Sequence, residues 1–315
     1  VNDPTISVRR VAVYCAVFVA LVIGGWTYFN HLNRLTWSMI HVSGDWQSGD
    51  AHLLELPSGH VVLIDTGFEK YARTDLLPYL DERGIERIDE LIITHAHRNH
   101  YGSIPSLIDH LESIGRVTFN LPARERCDAE TWRTGCDYAH VELARKVIRD
   151  AGIELRSMDG GDVLYTDPER GITLEVVYVH DGVSGPVGGT SINGTSAVLR
   201  LDYGTTSVLF TGDIGREVGE HLRSGAFPIE ADIVTAPHHG VESAASNDFL
   251  ARVNPDVMMV SNSARQWFTE RGDRYREFAA QRRLPVFVTG VHGDVTVAIR
   301  GSRYSISSQR DRPAR

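Results

Sequence analysis

Cysteine is scarce: three occur among 315 residues, at 15, 127 and 136, and no two form a Cys-X-X-Cys pair. A cysteine-built zinc site is therefore excluded as the organising centre. No Gly-X-Ser-X-Gly elbow is present, so a serine hydrolase of the α/β type would lack its nucleophile. The glycine-rich stretch Gly182-Val-Ser-Gly-Pro-Val-Gly-Gly-Thr-Ser191 has no lysine after it and no evident helix start, so it is not a phosphate loop. Positive charge is not in excess either. A net charge of −9 argues against a surface that coats nucleic acid, while leaving room for a local basic groove.

Long uncharged runs are absent but for one, residues 11–29. An apolar helix of about 20 residues spans a bilayer. Arg9 and Arg10 precede the run, and Trp26, Tyr28 and Phe29 stand at its far end, which orients it with the N-terminus inside. A cleaved signal peptide is the competing reading, but no good small-X-small site follows the run. The expectation is a cytoplasmic segment 1–10, a single-pass anchor in the cytoplasmic membrane over 11–29, a linker over 30–37 and an extracytoplasmic domain from 38 to 300. Residues 301–315, polar and basic, read as a disordered tail. In an oxidising compartment Cys127 and Cys136, flanking a short polar loop, are expected to pair; two free thiols are the alternative.

What is present in quantity is histidine in one place. The apolar run Leu91 to Ile93 reads as a buried strand that stops at Thr94, and His95, His97 and His100 follow within six positions. Rings leaving a strand end in one short segment can converge on metal, and neutral imidazole is the commonest zinc ligand. Further on, Val208-Leu-Phe runs into Thr211-Gly-Asp213, placing a carboxylate at a strand end, where its two oxygens can bridge two ions. Another strand-like run, 231–236, ends in Pro237-His-His-Gly240. Strands are also expected over 37–42, 52–55, 60–65, 172–179, 197–202, 285–289 and 294–300. Helices are expected over 73–83, 106–114, 140–150 and 274–283. An irregular insertion over 120–138 reads as a lid.

The histidine run resembles the metallo-β-lactamase superfamily, whose motif is His-X-His-X-Asp-His followed by glycine. Val42-Ser-Gly-Asp-Trp-Gln-Ser-Gly-Asp-Ala, Leu63-Ile-Asp-Thr-Gly67, Asn193-Gly-Thr-Ser196, Thr-Gly-Asp213 and the Pro-His-His-Gly motif are similar to its ComEC/Rec2-type competence-protein branch. The resemblance implies a four-layer αββα sandwich and a zinc site of one or two ions, with manganese as a possible substitute. It implies metal ligands at His95, His97, Asn99, His100, His180, Asp213 and His238. Asp65 would support the ligands from behind, His239 would lie beside the substrate as a catalytic group, and Asn193 and Ser196 would meet the substrate. His180 is equally readable as an ordinary strand-end histidine. Asn99 stands where the family has aspartate, so the second metal is expected to lack its dedicated carboxylate and to bind weakly. Asn99→Asp would then raise metal affinity and turnover.

The activity implied is metal-dependent hydrolysis, of a small-molecule or nucleic-acid phosphodiester, by water that the metals activate. An acyl hydrolase acting on lactones, thioesters or β-lactams is the alternative. A weakly active binding protein of the same fold is a third reading, motivated by Asn99.

Overall fold

The computed structural model describes residues 33–130, 135–180 and 191–310, together with Val13, Tyr14, Val17 and Phe18. The expected membrane helix over 11–29 therefore lies outside the described residues, those four excepted. Among the described residues no helix is long and apolar enough to cross a membrane.

The chain first lays down β1 (Leu35–Met39), β2 (His52–Glu55), β3 (Val61–Ile64), β4 (Arg87–Ile93), β5 (Ser113–Phe119) and β6 (Glu154–Arg156). It then builds β7 (Val163–Asp167), β8 (Ile172–Tyr178), β9 (Val198–Tyr203), β10 (Thr206–Phe210), β11 (Ile233–Thr235), β12 (Val257–Val260) and β13 (Val286–Val288). Finally β14 (Val295–Arg300) and β15 (Arg303–Ser308) return to the first sheet. The sheet orders are β15-β14-β1-β2-β3-β4-β5-β6 and β13-β12-β11-β10-β9-β8-β7.

Side-chain alternation explains the layers. In β1, Leu35, Trp37 and Met39 point into the space between the sheets, where they meet Leu199, Val208, Phe210 and Met259. Trp37 packs edge-on against Phe210 at 5.0 Å between ring centroids. In β4, Ile92 joins this inner core, while Leu91 and Ile93 face outward. There they pack with residues of the helices Leu77–Glu82, Ile104–His110 and Tyr138–Asp150. The outer face of the second sheet is covered likewise by Arg216–Ser224, Asn247–Val253 and Glu270–Arg282. Period-two alternation with both faces apolar thus yields the four-layer αββα sandwich that was expected.

Parallel pairing positions the site. β3, β4, β5 and β6 run parallel to one another, as do β10, β11, β12 and β13. Their C-terminal ends therefore open onto loops on a common side within each sheet, the place where α/β folds hold ligands. Asp65 follows β3, the His95–His100 segment follows β4, Asp213 follows β10, and His238 and His239 follow β11.

Three expectations are corrected. Residues 303–308 are not tail: Arg303–Ser308 is edge strand β15, paired along β14. Tyr304 and Ile306 alternate with polar residues and pack against the inner core. An edge strand needs only that half-apolar pattern, and at this length it resembles a solvated tail. The domain accordingly runs from Leu35 to Ser308 rather than from 38 to 300. The helix expected over 106–114 is Ile104–His110, and Ser113 and Ile114 belong to β5, whose first half, Ser-Ile-Gly-Arg, hides its strand character. The expected loop over 182–191 lies outside the described residues, except Ser191.

Candidate metal centre

The strand end after β4 folds as the sequence implies. His97 is the N-cap of a short helix, Arg98–Tyr101, that turns His100 back under the sheet. Gly102 closes that helix where no side chain fits, since a Cβ there would lie 2.4 Å from the Arg98 carbonyl oxygen and 2.8 Å from the Glu69 nitrogen. His95, His97 and His100 are all buried. Behind them stands Asp65, held at a left-handed φ of 59°. Its Oδ1 accepts the Thr94 N–H at 2.8 Å, and its Oδ2 accepts from Thr94 Oγ1 and His100 Nδ1, each at 2.8 Å. A bond at Nδ1 leaves His100 Nε2 to face forward. Asp65 thus touches the back of a histidine and not the cavity.

Asp213 is the centre. The Asp213 N–H donates to Ser196 Oγ at 3.0 Å, which fixes the backbone turn. Asp213 Oδ2 lies 3.3 Å from His100 Nε2, 3.7 Å from His95 Nε2 and 3.7 Å from His238 Nε2. Its Oδ1 lies 3.5 Å from His239 Nε2. Donor atoms from Asp50, His100, Asp213 and His239 come within 4.8 Å of one another, and so do donors from His95, His97 and Asp213. Two groups therefore share one carboxylate.

The donor set fits divalent metal. His95 Nε2, His100 Nε2, Asp213 Oδ1 and His239 Nδ1 are buried without a hydrogen-bond partner, a costly arrangement for polar atoms that nothing else satisfies. Most of the gaps between them exceed a good hydrogen bond. At 3.3–3.7 Å from Asp213, the histidine nitrogens come close to the spacing of about 3.3–3.6 Å between donors that sit about 2.0–2.2 Å from one tetrahedral zinc.

The structure redistributes several expected roles. Asp50, which lies in the Val42–Ala51 motif and was not among the expected site residues, places its carboxylate 3.6 Å from His239 Nδ1 and 3.9 Å from His100 Nδ1. Asp50 thus stands with the second group, on the Nδ1 side of both rings, while Asp213 faces their Nε2 atoms. The Asn99 amide nitrogen instead stands 2.9 Å from His239 Nε2. Of the adjacent pair, His239 completes the group with Asp50, His100 and Asp213, where His238 was expected. His238 is held from outside it by Ser243 Oγ at 2.9 Å and the Asn193 amide at 3.3 Å. Both histidines have left-handed backbones, φ 47° and 56°, which point consecutive rings to different neighbours. Ser196 is fully buried behind Asp213, and Asn193 reaches His238, so neither lines the cavity where the substrate was expected to meet them. His180, at the end of β8, joins neither group. Cys127 and Cys136 form a disulfide, with Cα atoms 4.9 Å apart.

Electrostatics divide the histidines. Burial opposes charge on His239, but the carboxylates of Asp213 and Asp50 outweigh it and raise its pKa to about 10. Burial is likewise overcome at His100 by Asp213 and Asp65, which lift it well above the usual histidine range. Burial wins at His238, lowered to about 4, and at His95, lowered well below its ordinary value. In the metal-free chain His100 and His239 are therefore cationic at neutral pH and must each lose a proton to ligate. Metal binding is expected to release these protons, and affinity to fall as pH falls. Calorimetric titration in buffers of differing ionisation enthalpy measures the number released; heats that do not change with buffer would contradict it.

The groups open into a cavity of about 250 Å³ lined by Trp46, Phe68, Asn99, His238, His239 and Arg271, among others. Gln47 and Phe68 also line an adjoining groove of about 760 Å³ that carries Lys70, Arg73 and Arg98 alongside Glu69, Asp109 and Asp137.

Residues 44–118 match the metallo-beta-lactamase superfamily. The chain is similar to ComE operon protein 3 of Bacillus subtilis, at 24% identity over 221 residues that cover 70% of this chain and 26% of that protein. It is also similar to endoribonuclease YSH1 of Saccharomyces cerevisiae, at 26% identity over 229 residues, 65% of this chain and 27% of that one. The chain thus spans about a quarter of the length of these relatives. Among solved structures, a mutant of the CmlA β-hydroxylase superposes with a TM-score of 0.50 at 12% identity, covering 84% of this chain and 54% of that one. That likeness speaks to the fold alone.

Proposed function

We propose that this chain, which carries a metallo-β-lactamase superfamily domain of the ComEC type, is a hydrolase of phosphodiesters that uses two divalent metals. The observation that carries the reading is the sharing of Asp213 between two buried donor groups on a cavity floor. In it, His95, His97 and Asp213 would hold one ion, and Asp50, His100, His239 and Asp213 would hold the other. Two such ions would lower the pKa of water to about 7 and polarise the substrate's phosphoryl oxygen.

The chain's own residues do the rest. Asp65 orients His100, and Ser196 holds the Asp213 backbone. Arg271, paired to Glu242 at 3.1 Å, offers a guanidinium to a phosphate at the cavity rim. The adjoining groove supports a substrate larger than the cavity itself. Its three cations stand beside three carboxylates, which favours positioning of a strand over tight charge-driven binding. The phosphodiester class is supported by the relative named an endoribonuclease. Zinc is the ion we favour, for the imidazole-rich donor set.

The test is a panel of phosphodiester, RNA, DNA, lactone, thioester and β-lactam substrates, offered to the full chain with zinc or manganese. Cleavage of a phosphodiester, abolished by chelator and restored by metal, is expected. Cleavage of acyl substrates alone would overturn the substrate class. Two bound metals with no hydrolysis of any substrate would favour a binding protein.

We place the domain outside the cytoplasmic membrane, anchored through residues 11–29. The uncharged run after Arg9-Arg10 supports this, and the Cys127–Cys136 disulfide suits an oxidising compartment. Protease added to spheroplasts is expected to digest the domain; protection until lysis would reverse the orientation.

A further inference from the structure

Among the described residues of the insertion closed by Cys127 and Cys136, Glu130 reaches the first donor group. Its Oε2 lies 2.9 Å from His97 Nε2 and accepts the Cys136 N–H at 2.9 Å. Its Oε1 accepts the Ile192 N–H at 3.2 Å. The carboxylate is therefore fixed at three points. One of these belongs to a disulfide cysteine, and one to the segment leading to Ser196. The carboxylate itself is mostly shielded, with 15% of the side chain exposed.

We infer that Glu130 is a positioning residue for the first metal: it holds His97 as the Nε2–H tautomer and so leaves Nδ1 as the donor. A carboxylate can only accept here, so the proton must sit on His97 Nε2, and a neutral imidazole then has its lone pair on Nδ1. Histidines that bind metal through one nitrogen are commonly fixed by a carboxylate at the other. The disulfide keeps Glu130 in place by fixing Cys136, whose N–H it accepts. Among the described residues the first group consists of His95, His97 and the shared Asp213, so its affinity rests heavily on the orientation of His97. Reducing the clasp would free Cys136 and loosen Glu130. The inference thus ties metal affinity at one of the two groups to the thiol–disulfide state of a loop.

This rests on the two-metal reading, and the experiment separates the two. In the metal-free full chain, ¹⁵N shifts of the His97 ring should report the Nε2–H tautomer, and Glu130→Ala should give a tautomer mixture. That result needs no metal. An unchanged tautomer in the variant would overturn the positioning role even if metals bind. With zinc present, chelator competition should show one of two sites weakened about 10–100-fold in Glu130→Ala. The other site should be unchanged, and Glu130→Gln, which keeps an acceptor oxygen, should lose less. The Cys127→Ser, Cys136→Ser double variant is expected to fall between wild type and Glu130→Ala. Equal affinity in wild type and Glu130→Ala, or equal loss at both sites, would refute the inference. Wild-type chain that binds no metal at all would instead refute the two-metal reading.

Discussion

Asp213→Asn is expected to leave the chain without either metal. Both donor groups depend on this carboxylate, whose oxygens lie 3.3–3.7 Å from four histidine nitrogens. An amide offers one neutral oxygen where two charged ones stood. Metal content measured by mass spectrometry should drop from two ions to none at stoichiometric zinc. Hydrolysis should fall by about a thousandfold or more, since a metal's stabilisation of the transition state amounts to several kcal/mol. A second readout needs no metal. Asp213 is held well below the usual carboxylate range, burial being outweighed by His239 and His100. Its removal leaves two buried cations with less counter-charge. The metal-free variant should lose about 3–5 kcal/mol of stability at neutral pH. Two tightly held zinc ions in Asp213→Asn would contradict a bridging role.

Asp50→Asn is expected to cost far more than Asn99→Asp returns. If Asp50 supplies the second group's carboxylate, its loss should weaken one ion by at least about 100-fold and lower hydrolysis in step. Restoring aspartate at 99 adds charge to a group that already has Asp50 and Asp213. It should therefore change affinity and rate by less than about tenfold, for the reason that the existing charges compensate the ion already. Chelator competition on the two variants and wild type decides between them. A large gain in Asn99→Asp with a mild loss in Asp50→Asn would restore the simpler reading, in which position 99 is the missing ligand.

Asp50 and Asn99 also illustrate what could be read from the sequence. The histidines after β4 were legible because a buried strand and its exit loop are contiguous, so the donors are close in sequence as well as in space. Asp213 was legible for the same reason, at the end of Val-Leu-Phe. Asp50 lies in an irregular segment with no period. It is placed by backbone bonds that the sequence does not announce, from its own N–H to Asn99 O at 3.2 Å and from the Gly67 N–H to its carbonyl at 2.8 Å. The choice between His238 and His239 was not legible at all. The residues are identical and adjacent, and only the left-handed backbone sends one ring to Asp50 and the other to Ser243. Glu130 was hidden in another way, since its partner His97 is 33 positions away and belongs to a different element. Layer architecture survived because it rests on alternation repeated over many strands. β15 was lost because half its positions face solvent.

The left-handed backbones of Asp65, His238 and His239 bear on any attempt to toughen this chain. Each is a conformation that glycine adopts at lower cost, by roughly 1 kcal/mol per position. Asp65 and His239 are held there by the buried opposite charges they face, so a library screened only for resistance to heat, in metal-free medium, should enrich glycine at His238 alone, whose ring burial keeps neutral. The winners would be hardier proteins with an altered cavity wall. Laboratory evolution toward thermal tolerance has to be run with metal present, so that occupancy and survival are selected together.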